Sequence, residues 1–482
     1  MQLMSGTEIH TRAITTLTKP DVTYQEIETC FNDFALLLDT SYIEKDTEIG
    51  VLWYSLGCAC QKRNHRALAL LCFQEALKTK PGFLAAINNM GYALKKLHQG
   101  PESAAAFKRV IDLIEAGEVE ATAEEKAEYY VNYGSMFVAN GTPDAAIALF
   151  DRSAEYAEVK MATYNRGLVY LEKGDYVRGF EGWDHGDRID KISHRHYGHS
   201  SLPIWNGEPG KTVVVVGEQG IGDELMFATI LPDIMRDCHI VLDAHPRLAD
   251  MFRRSFPELD VYGTRKDGWI DWGKRYQLDA KILMGSLPKF YRHGVSDFPK
   301  KPYLIVDDSL DHRYREQLDK LGTRPKIGIS WRGGIKQTGS NQRFIPMDKW
   351  LDILKLDCDF ISLQYDKGIA GDVEKFNEQH NVKIHHWTEM LENYEHTAAV
   401  VKNLDLVISV PQSVVHLAGV IGTPTWQLVP IKTLWQAGVY GRDMPWYDCV
   451  TNKWQTVDGN WDSVLANVKD ELCSLLQMSI AS

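Results

Sequence analysis

The chain has 482 residues, 44% hydrophobic and 24% charged, enough for about three soluble domains with cores of their own. Asp and Glu (65) outnumber Lys and Arg (53), a net charge of −12 that excludes a broad basic face for nucleic acid and leaves room only for a local phosphate pocket. Apolar runs such as Val213–Gly217 and Leu417–Ile421 are far short of the ~20 residues of a bilayer span, so no membrane crossing is expected.

The opening residues, MQLMSGTEIHTRAITTLTKP, lack a charged start followed by an apolar core. No secretory signal is expected, and the expected location is the cytoplasm. The eight cysteines scatter without a C-x-x-C pair, which points to reduced thiols rather than a zinc site.

The first helical pattern is Tyr24–Leu38 (Ile27, Phe31, Phe34, Leu37, Leu38), a degenerate repeat or a cap. Trp53, Leu56, Gly57, Ala69, Phe73, Ala76 and Pro81 then follow at offsets 0, 3, 4, 16, 20, 23 and 28. This is the spacing of a tetratricopeptide (TPR) repeat, a helical hairpin of about 34 residues. Gly91 and Phe107 lie 34 after Gly57 and Phe73. A third copy (Tyr130, Tyr133, Gly134, Ala146, Phe150) is displaced by 43, so extra residues around Leu113–Glu125 lengthen a helix or a loop. A fourth has Gly167, Tyr170 and Trp183, with Gly167 and Trp183 each 33 after their predecessors. The glycines mark close helix crossings, and Phe73, Phe107, Phe150 and Trp183 are expected to fill the gap to the next unit. Such a stack presents a concave surface to a peptide or protein, or else serves as a spacer or dimerisation arm.

A polar, Gly- and Pro-containing stretch, His185–Gly210, reads as a solvated linker. Its His194, His196 and His199 do not share a helix face, and linker histidines are the expected reading over a metal site.

Beyond it strands alternate with helices, which predicts parallel sheets covered on both faces. Expected strands are Thr212–Gly217, His239–Asp243, Leu259–Tyr262, Asp279–Leu283, Lys326–Trp331, Asp359–Leu363, Val382–His385, Leu404–Ser409 and Thr425–Val429. Expected helices are Leu225–Ile234, Met347–Leu356, Tyr394–Lys402, Gln412–Ile421 and Trp461–Met478. Lys300–Val306 reads as the connection between two halves. The expected domains are 1–200 (helical repeats and linker), 201–308 (first Rossmann-like lobe) and 309–482 (second lobe). Ligands of such sheets bind beyond the carboxyl ends of the strands.

Three loops there could carry chemistry. Gly217-Glu-Gln-Gly-Ile-Gly-Asp223 is glycine-rich, yet it is neither a P-loop nor G-x-G-x-x-G, which disfavours phosphoryl transfer and dinucleotide oxidoreduction. It sets Asp223 at a helix start, as an N-cap or as an acid–base group. Ser330-Trp-Arg-Gly-Gly-Ile-Lys336, with Arg343, gathers Arg332, Lys336 and Arg343 in one loop, as a phosphate site or as surface charge. In Val410-Pro-Gln-Ser-Val-Val-His416, backbone N–H groups at a helix start together with Ser413 suit an anion. His416 sits one turn in, either packed or touching ligand.

These motifs, in this order and behind TPR repeats, resemble bacterial TPR-containing glycosyltransferases of the heptosyltransferase-like family 9. The likeness runs over residues 50–470 and rests on "GEQGIGDELMFATILPDI", "IGISWRGG", "FISLQYD", "DLVIS…SVVHLAGVIGTPTWQLVP" and "MPWYDCV". It implies a GT-B fold and transfer of a sugar from a nucleotide-activated donor to a protein or glycan hydroxyl, with no cofactor and no metal. Asp223 would be the general base. Donor binding would involve Gln219 and Gly222 from the first lobe. From the second it would involve Trp331 and Gln364 at the rim, Lys336 and Arg343 at the leaving charge, and Gln412, Ser413, Val414 and His416 at the helix start. The chain has Pro411-Gln412 where that family usually has Asp-Thr, and Trp454, beside Lys453, where a basic residue often stands. Backbone N–H groups at the helix start do not depend on that side chain. Expected partners are the nucleotide-sugar donor and an acceptor held in the TPR groove, with room for a homo-oligomer. The alternative is a non-catalytic TPR scaffold with a vestigial GT-B part; survival of Asp223, Lys336, Arg343 and the Ser413 helix start argues for the enzyme.

Overall fold

The computed structural model describes residues 49–139, 141–185, 195–197, 202–218, 220–265, 269–334, 340–365, 368–431 and 435–481, with a few isolated positions before 49. The helical pattern at Tyr24–Leu38 lies outside these stretches. The chain divides into two compact units, Met1–Asn165 and Arg166–Ser482.

The first unit is made of helical hairpins: α1 (Ile49–Lys62) with α2 (Arg66–Thr79), α3 (Leu84–Lys96) with α4 (Gly100–Glu115), and α5 (Ala123–Ala139) with α6 (Pro143–Ala154). α7 (Lys160–Glu172) runs across the division into the second unit, where α8 (Tyr176–Trp183) completes the fourth pair. Pro101 and Pro143 stand in the first turns of α4 and α6, where a missing N–H costs nothing. A residue with positive φ turns every hairpin: Asn64 (67°), His98 (62°), Gly141 (72°) and Gly174 (78°). These are TPR repeats, and the extra residues of the third lengthen both a helix and a connection: α4 has 16 residues, α5 has 17, and 116–122 join them.

The glycines stand where two helices meet. A Cβ on Gly57 would lie 2.6 Å from the Phe73 ring, one on Gly91 3.0 Å from Phe107, and one on Gly134 2.7 Å from Phe150. Each phenylalanine packs on the glycine of its own hairpin, and Phe73 shares a core cluster with Ala86 and Ala93 of the next one. In the fourth hairpin the backbones of Gly179 and Gly182 meet Gly167 instead, and Trp183 is released for another contact.

The second unit holds two fully parallel sheets. β1 (Thr212–Val216), β2 (His239–Asp243), β3 (Asp260–Tyr262) and β4 (Ala280–Leu283) run in the order β3-β2-β1-β4. β5 (Lys326–Ser330), β6 (Asp359–Ser362), β7 (Ile384–His385), β8 (Leu406–Ser409), β9 (Thr425–Val429) and β10 (Val450–Trp454) run β10-β9-β8-β5-β6-β7. The central strands are buried on both faces, as their β-branched runs require. Helices α9 (Ile221–Phe227), α10 (Leu231–Asp237), α11 (Ala249–Ser255), α12 (Asp308–Asp319), α13 (Ile369–His380), α14 (Tyr394–Lys402), α15 (Ser413–Ile421) and α16 (Asp462–Ala481) connect and cover them. These are two Rossmann-like α/β lobes, each a parallel sheet with helices.

The pattern at Leu225–Ile234 breaks at Pro232 into α9, one 3₁₀ turn and α10. Met347–Trp350 is 3₁₀ before a short α turn, and only Ile384–His385 of Val382–His385 pairs as strand. The linker is not solvated throughout. Pro203 and Trp205 exchange backbone hydrogen bonds of 2.9 Å with Lys281 and extend the first sheet beyond β4. Arg195 is buried against Asp243, whose carboxylate also accepts from Tyr197 Oη at 2.7 Å and Thr264 Oγ1 at 2.8 Å. His196 bridges to Trp269 through backbone, while His194 and His199 lie outside the described residues. Among the described residues, no helix is long and apolar enough to cross a membrane.

Candidate functional site

The two lobes meet at the carboxyl ends of their central strands. Tyr303 and Leu304 N–H groups both donate to Val420 O at 3.0 Å, Tyr303 Oη donates to Leu225 O at 2.8 Å, and Arg254 pairs with Glu395 at 2.7 Å. At the centre of the junction the first turn of α9 faces the first turn of α15. A Cβ on Gly222 would lie 3.0 Å from Ser413 Cα and 3.2 Å from His416 Cδ2. A side chain at this position would crowd the approach, and its neighbours would have to give by a few tenths of an ångström.

β1 ends at Val216, and Gly220, in extended backbone, is the N-cap of α9. Asp223 is therefore the third helical residue, not the N-cap, which corrects that reading of the loop. A carboxylate there still lies at the positive end of the helix. Asp223 is half-buried, and its Oδ1 accepts from Gln436 Nε2 of the second lobe at 3.3 Å. Its negative charge acts on two second-lobe groups, Arg343 and Tyr447.

Glu224, next in sequence, points the other way. It is fully buried beneath Gly217, accepts from the His245 N–H at 2.7 Å, and lies 3.9 Å from Arg265. Burial pushes its carboxyl up to about 8. Two adjacent carboxyls thus have different tasks: Glu224 supports the loop from inside and Asp223 faces the other lobe.

In the second lobe Gln412 is the N-cap of α15, with extended backbone. Its side-chain amide donates to Ser330 Oγ and, at 3.2 Å, to Ser409 Oγ. The Gln412 side chain thus fastens the ends of β5 and β8 rather than reaching outward. Ser413 is half-buried and Val414 buried at the same helix start. His416 Nδ1 is 3.2 Å from Tyr447 Oη, and burial pushes its imidazole down to about 4, so it is neutral at pH 7. Tyr447 in turn lies flat against Gly419 of α15. His416 is a packed residue of the junction.

Arg343 is buried and donates from Nη1 to Pro411 O at 3.3 Å, on the turn between β8 and α15. Its loop is pinched onto that turn: Gly333 N–H donates to Arg343 O at 3.0 Å, and a Cβ on Gly333 would be 2.6 Å from Pro411 O. Burial lowers the Arg343 pKa, while Tyr365 and Asp223 act in the opposite sense.

Two residues expected at the rim are buried. Trp331 is 3% exposed and packs in the second-lobe core with Ile345, Trp350 and Ile408. Gln364 is buried; its Oε1 accepts from Ser330 Oγ (2.9 Å) and Arg332 N (3.1 Å), and its Nε2 donates to Arg332 O (2.9 Å). Gln219 and Lys336 lie outside the described residues. The junction brings together Gly222, Asp223, Arg343, Gln412, Ser413, Val414 and His416. Gln436 and Glu224 were not anticipated. Gln436 lies 213 residues from its partner and belongs to no chemical motif, and Glu224 was hidden by the more conspicuous Gly-Asp pair before it.

No protein-family model matches the chain. It is 25% identical over 451 residues to Protein FlbA of Caulobacter vibrioides, a match covering 88% of this chain and 67% of that protein. Among solved structures, the E. coli ADP-heptose lps heptosyltransferase II is similar at 14% identity and TM-score 0.38, over 56% of this chain and 99% of that one. The glycosyl transferase family 9 structure from Veillonella parvula DSM 2008 is similar at 12% identity and TM-score 0.38, over 52% and 87% respectively. The TPR protein YrrB is similar at 14% identity and TM-score 0.24, over 29% and 68%.

Proposed function

We propose that this chain is a glycosyltransferase that moves a sugar from a nucleotide-activated donor to a hydroxyl of a protein or glycan acceptor. The observation that supports it most is the meeting of Asp223 with Gln436 across the lobes, with the buried Arg343 guanidinium within reach of the same carboxylate's charge. An anionic base and a cationic anchor at the strand ends of two facing parallel sheets suit a reaction that removes a proton at one end and releases a diphosphate at the other.

In this reading Asp223 takes the proton of the acceptor hydroxyl as its oxygen bonds to the anomeric carbon. The bond from that carbon to the donor diphosphate breaks, and its electron pair leaves on the diphosphate. Arg343 and the start of α15 counter the charge that develops there. Gln436 holds the base by donating to one carboxylate oxygen. No step calls for a metal. The TPR repeats are proposed to hold the acceptor, the role for which a stacked concave surface is suited.

The test is thermal shift with UDP-, GDP-, ADP-, CMP- and dTDP-sugars. A ligand at a hundred times its Kd stabilises the folded chain by about 2.7 kcal/mol. One nucleotide class should raise the melting temperature of the wild type, and Arg343→Ala should reduce its affinity ten-fold or more, as loss of a charge-assisted contact of about 1.5–3 kcal/mol implies. No rise with any class would reject the proposal.

A further inference from the structure

The fourth hairpin ends inside the lobes. α8 is started by Asp175, whose side chain accepts from Arg178 N–H, and its three aromatic residues, Tyr176, Phe180 and Trp183, are buried while Val177 is exposed. Tyr176 stacks edge-on against Phe298 of the first lobe (5.0 Å between centroids), and Phe180 against Trp435 of the second (5.7 Å). Trp183, 7% exposed, touches both: it meets Trp435 at 5.2 Å and Phe227 at 6.3 Å. Phe227 and Trp435 also meet each other (6.1 Å), and Trp446 closes the cluster at 5.6 Å from Phe227 and 6.2 Å from Trp435.

The two rings that Trp183 touches belong to the two elements that place the proposed base. Phe227 ends α9 one turn after Asp223, on the same helical row. Trp435 directly precedes Gln436, which donates to Asp223. The amide has no freedom apart from this: its Oε1 is buried without a hydrogen-bond partner, so Gln436 is placed by the packing of Trp435 and not by a polar network of its own. Closely packed aromatic rings resist displacement because each has few alternative rotamers in a filled core.

We infer that Trp183, a residue of the last TPR hairpin, is a positioning residue for Asp223, clamping α9 and the Trp435–Ala437 turn so that the Gln436 amide meets the carboxylate. The inference rests on the proposed role of Asp223. It makes the last helical hairpin a structural part of the transfer site. The ring cluster carries no charge. The charged and titratable groups near Asp223 include, among the described residues, Arg343, Tyr447 and its own neighbour Glu224.

The full-length chain is tested as Trp183→Ala, Trp183→Phe, Gln436→Leu and the Trp183→Ala/Gln436→Leu double variant. Trp183→Ala should lower kcat for transfer ten-fold or more, with KM for the donor within two-fold of wild type. Trp183→Phe should recover most of kcat. The double variant should be no slower than the slower single variant, since both act through one hydrogen bond. Hydrogen exchange gives a reading independent of catalysis: Trp183→Ala should speed exchange in Ile221–Phe227 and Trp435–Ala437 but not in β1 or β5. Should Trp183→Ala precipitate, Phe180→Leu loosens the same Trp435 contact and carries the same expectations. Unchanged exchange in both segments, or an equal loss in Trp183→Phe, or multiplicative losses in the double variant, would overturn the inference. A wild type inactive with every nucleotide sugar but showing the exchange pattern would reject the proposed function and leave the clamp standing.

Discussion

Gly222→Ala examines the junction with one methyl group. Its Cβ would stand 3.0 Å from Ser413 Cα, 3.2 Å from His416 Cδ2 and 3.3 Å from Ser413 Cβ. The nearest of these is backbone of α15, which cannot swing aside as a flexible side-chain end would, and His416 is held by Tyr447 at 3.2 Å. Overpacking of this kind costs typically 1–3 kcal/mol. Taking about 2 kcal/mol, and tenfold per 1.4 kcal/mol, nucleotide affinity should fall by roughly 30-fold if the strain is relieved by parting the lobes. If the lobes stay together the same strain appears as a lower melting temperature, by about 2–4 °C per kcal/mol in domains of 150–250 residues. Calorimetric binding and a melting curve on one preparation read both routes. A variant with wild-type affinity and wild-type melting would refute the close approach of α9 and α15.

Glu224→Gln should remove a pH dependence. The carboxyl is held at about 8 in the folded chain against 4.5 in the free group, so its contribution is full below about pH 4.5 and lost as pH rises towards 8. The amide variant, with the same shape and no ionisation, should gain melting temperature relative to wild type steadily from pH 5 to 8; a pH-independent gap would contradict the burial argument. In the repeats, Gly57→Ala should destabilise the helical hairpins by about 1–3 kcal/mol through collision with the Phe73 ring, and adding Phe73→Leu should recover part of the loss. Far-ultraviolet circular dichroism on melting separates the two, and equal melting for both variants would remove the ring from the explanation.

The parts of this molecule legible beforehand were those whose signal is local. β1, β5 and β8 are buried on both faces and read as apolar runs, and the repeat glycines read through their spacing. The helices α12 and α13 were missed because their apolar rows are thin among charged residues, and β10 because Val-Thr-Asn-Lys-Trp gives an edge strand few apolar residues. The polar linker misled for a different reason: Arg195 is buried because Asp243, 48 residues away, compensates its charge, and pairing at that distance leaves no periodic trace. The site divides in the same way. Gly222 and Asp223 stand at a strand end and a helix start, which sequence pattern places. Trp331 and Gln364 stand at strand ends too, but the pleat turns one into the core and hydrogen bonds bind the other to the loop backbone. The Gln436 partner of Asp223 comes from another lobe and from a turn that only the packing of Trp183, Phe227 and Trp435 locates.

The central claim is that Asp223 takes a proton from the acceptor while the donor is held by the other lobe. Single-turnover transfer by Asp223→Asn, with the nucleotide sugar that thermal shift selects, tests it most directly. The asparagine keeps the size of the side chain and an oxygen for the Gln436 amide but is no base. Transfer should fall by two to four orders of magnitude, the ~10²–10⁴-fold contribution of a positioned acid–base group, with nucleotide affinity at or above that of the wild type. Transfer at the wild-type rate would contradict the account.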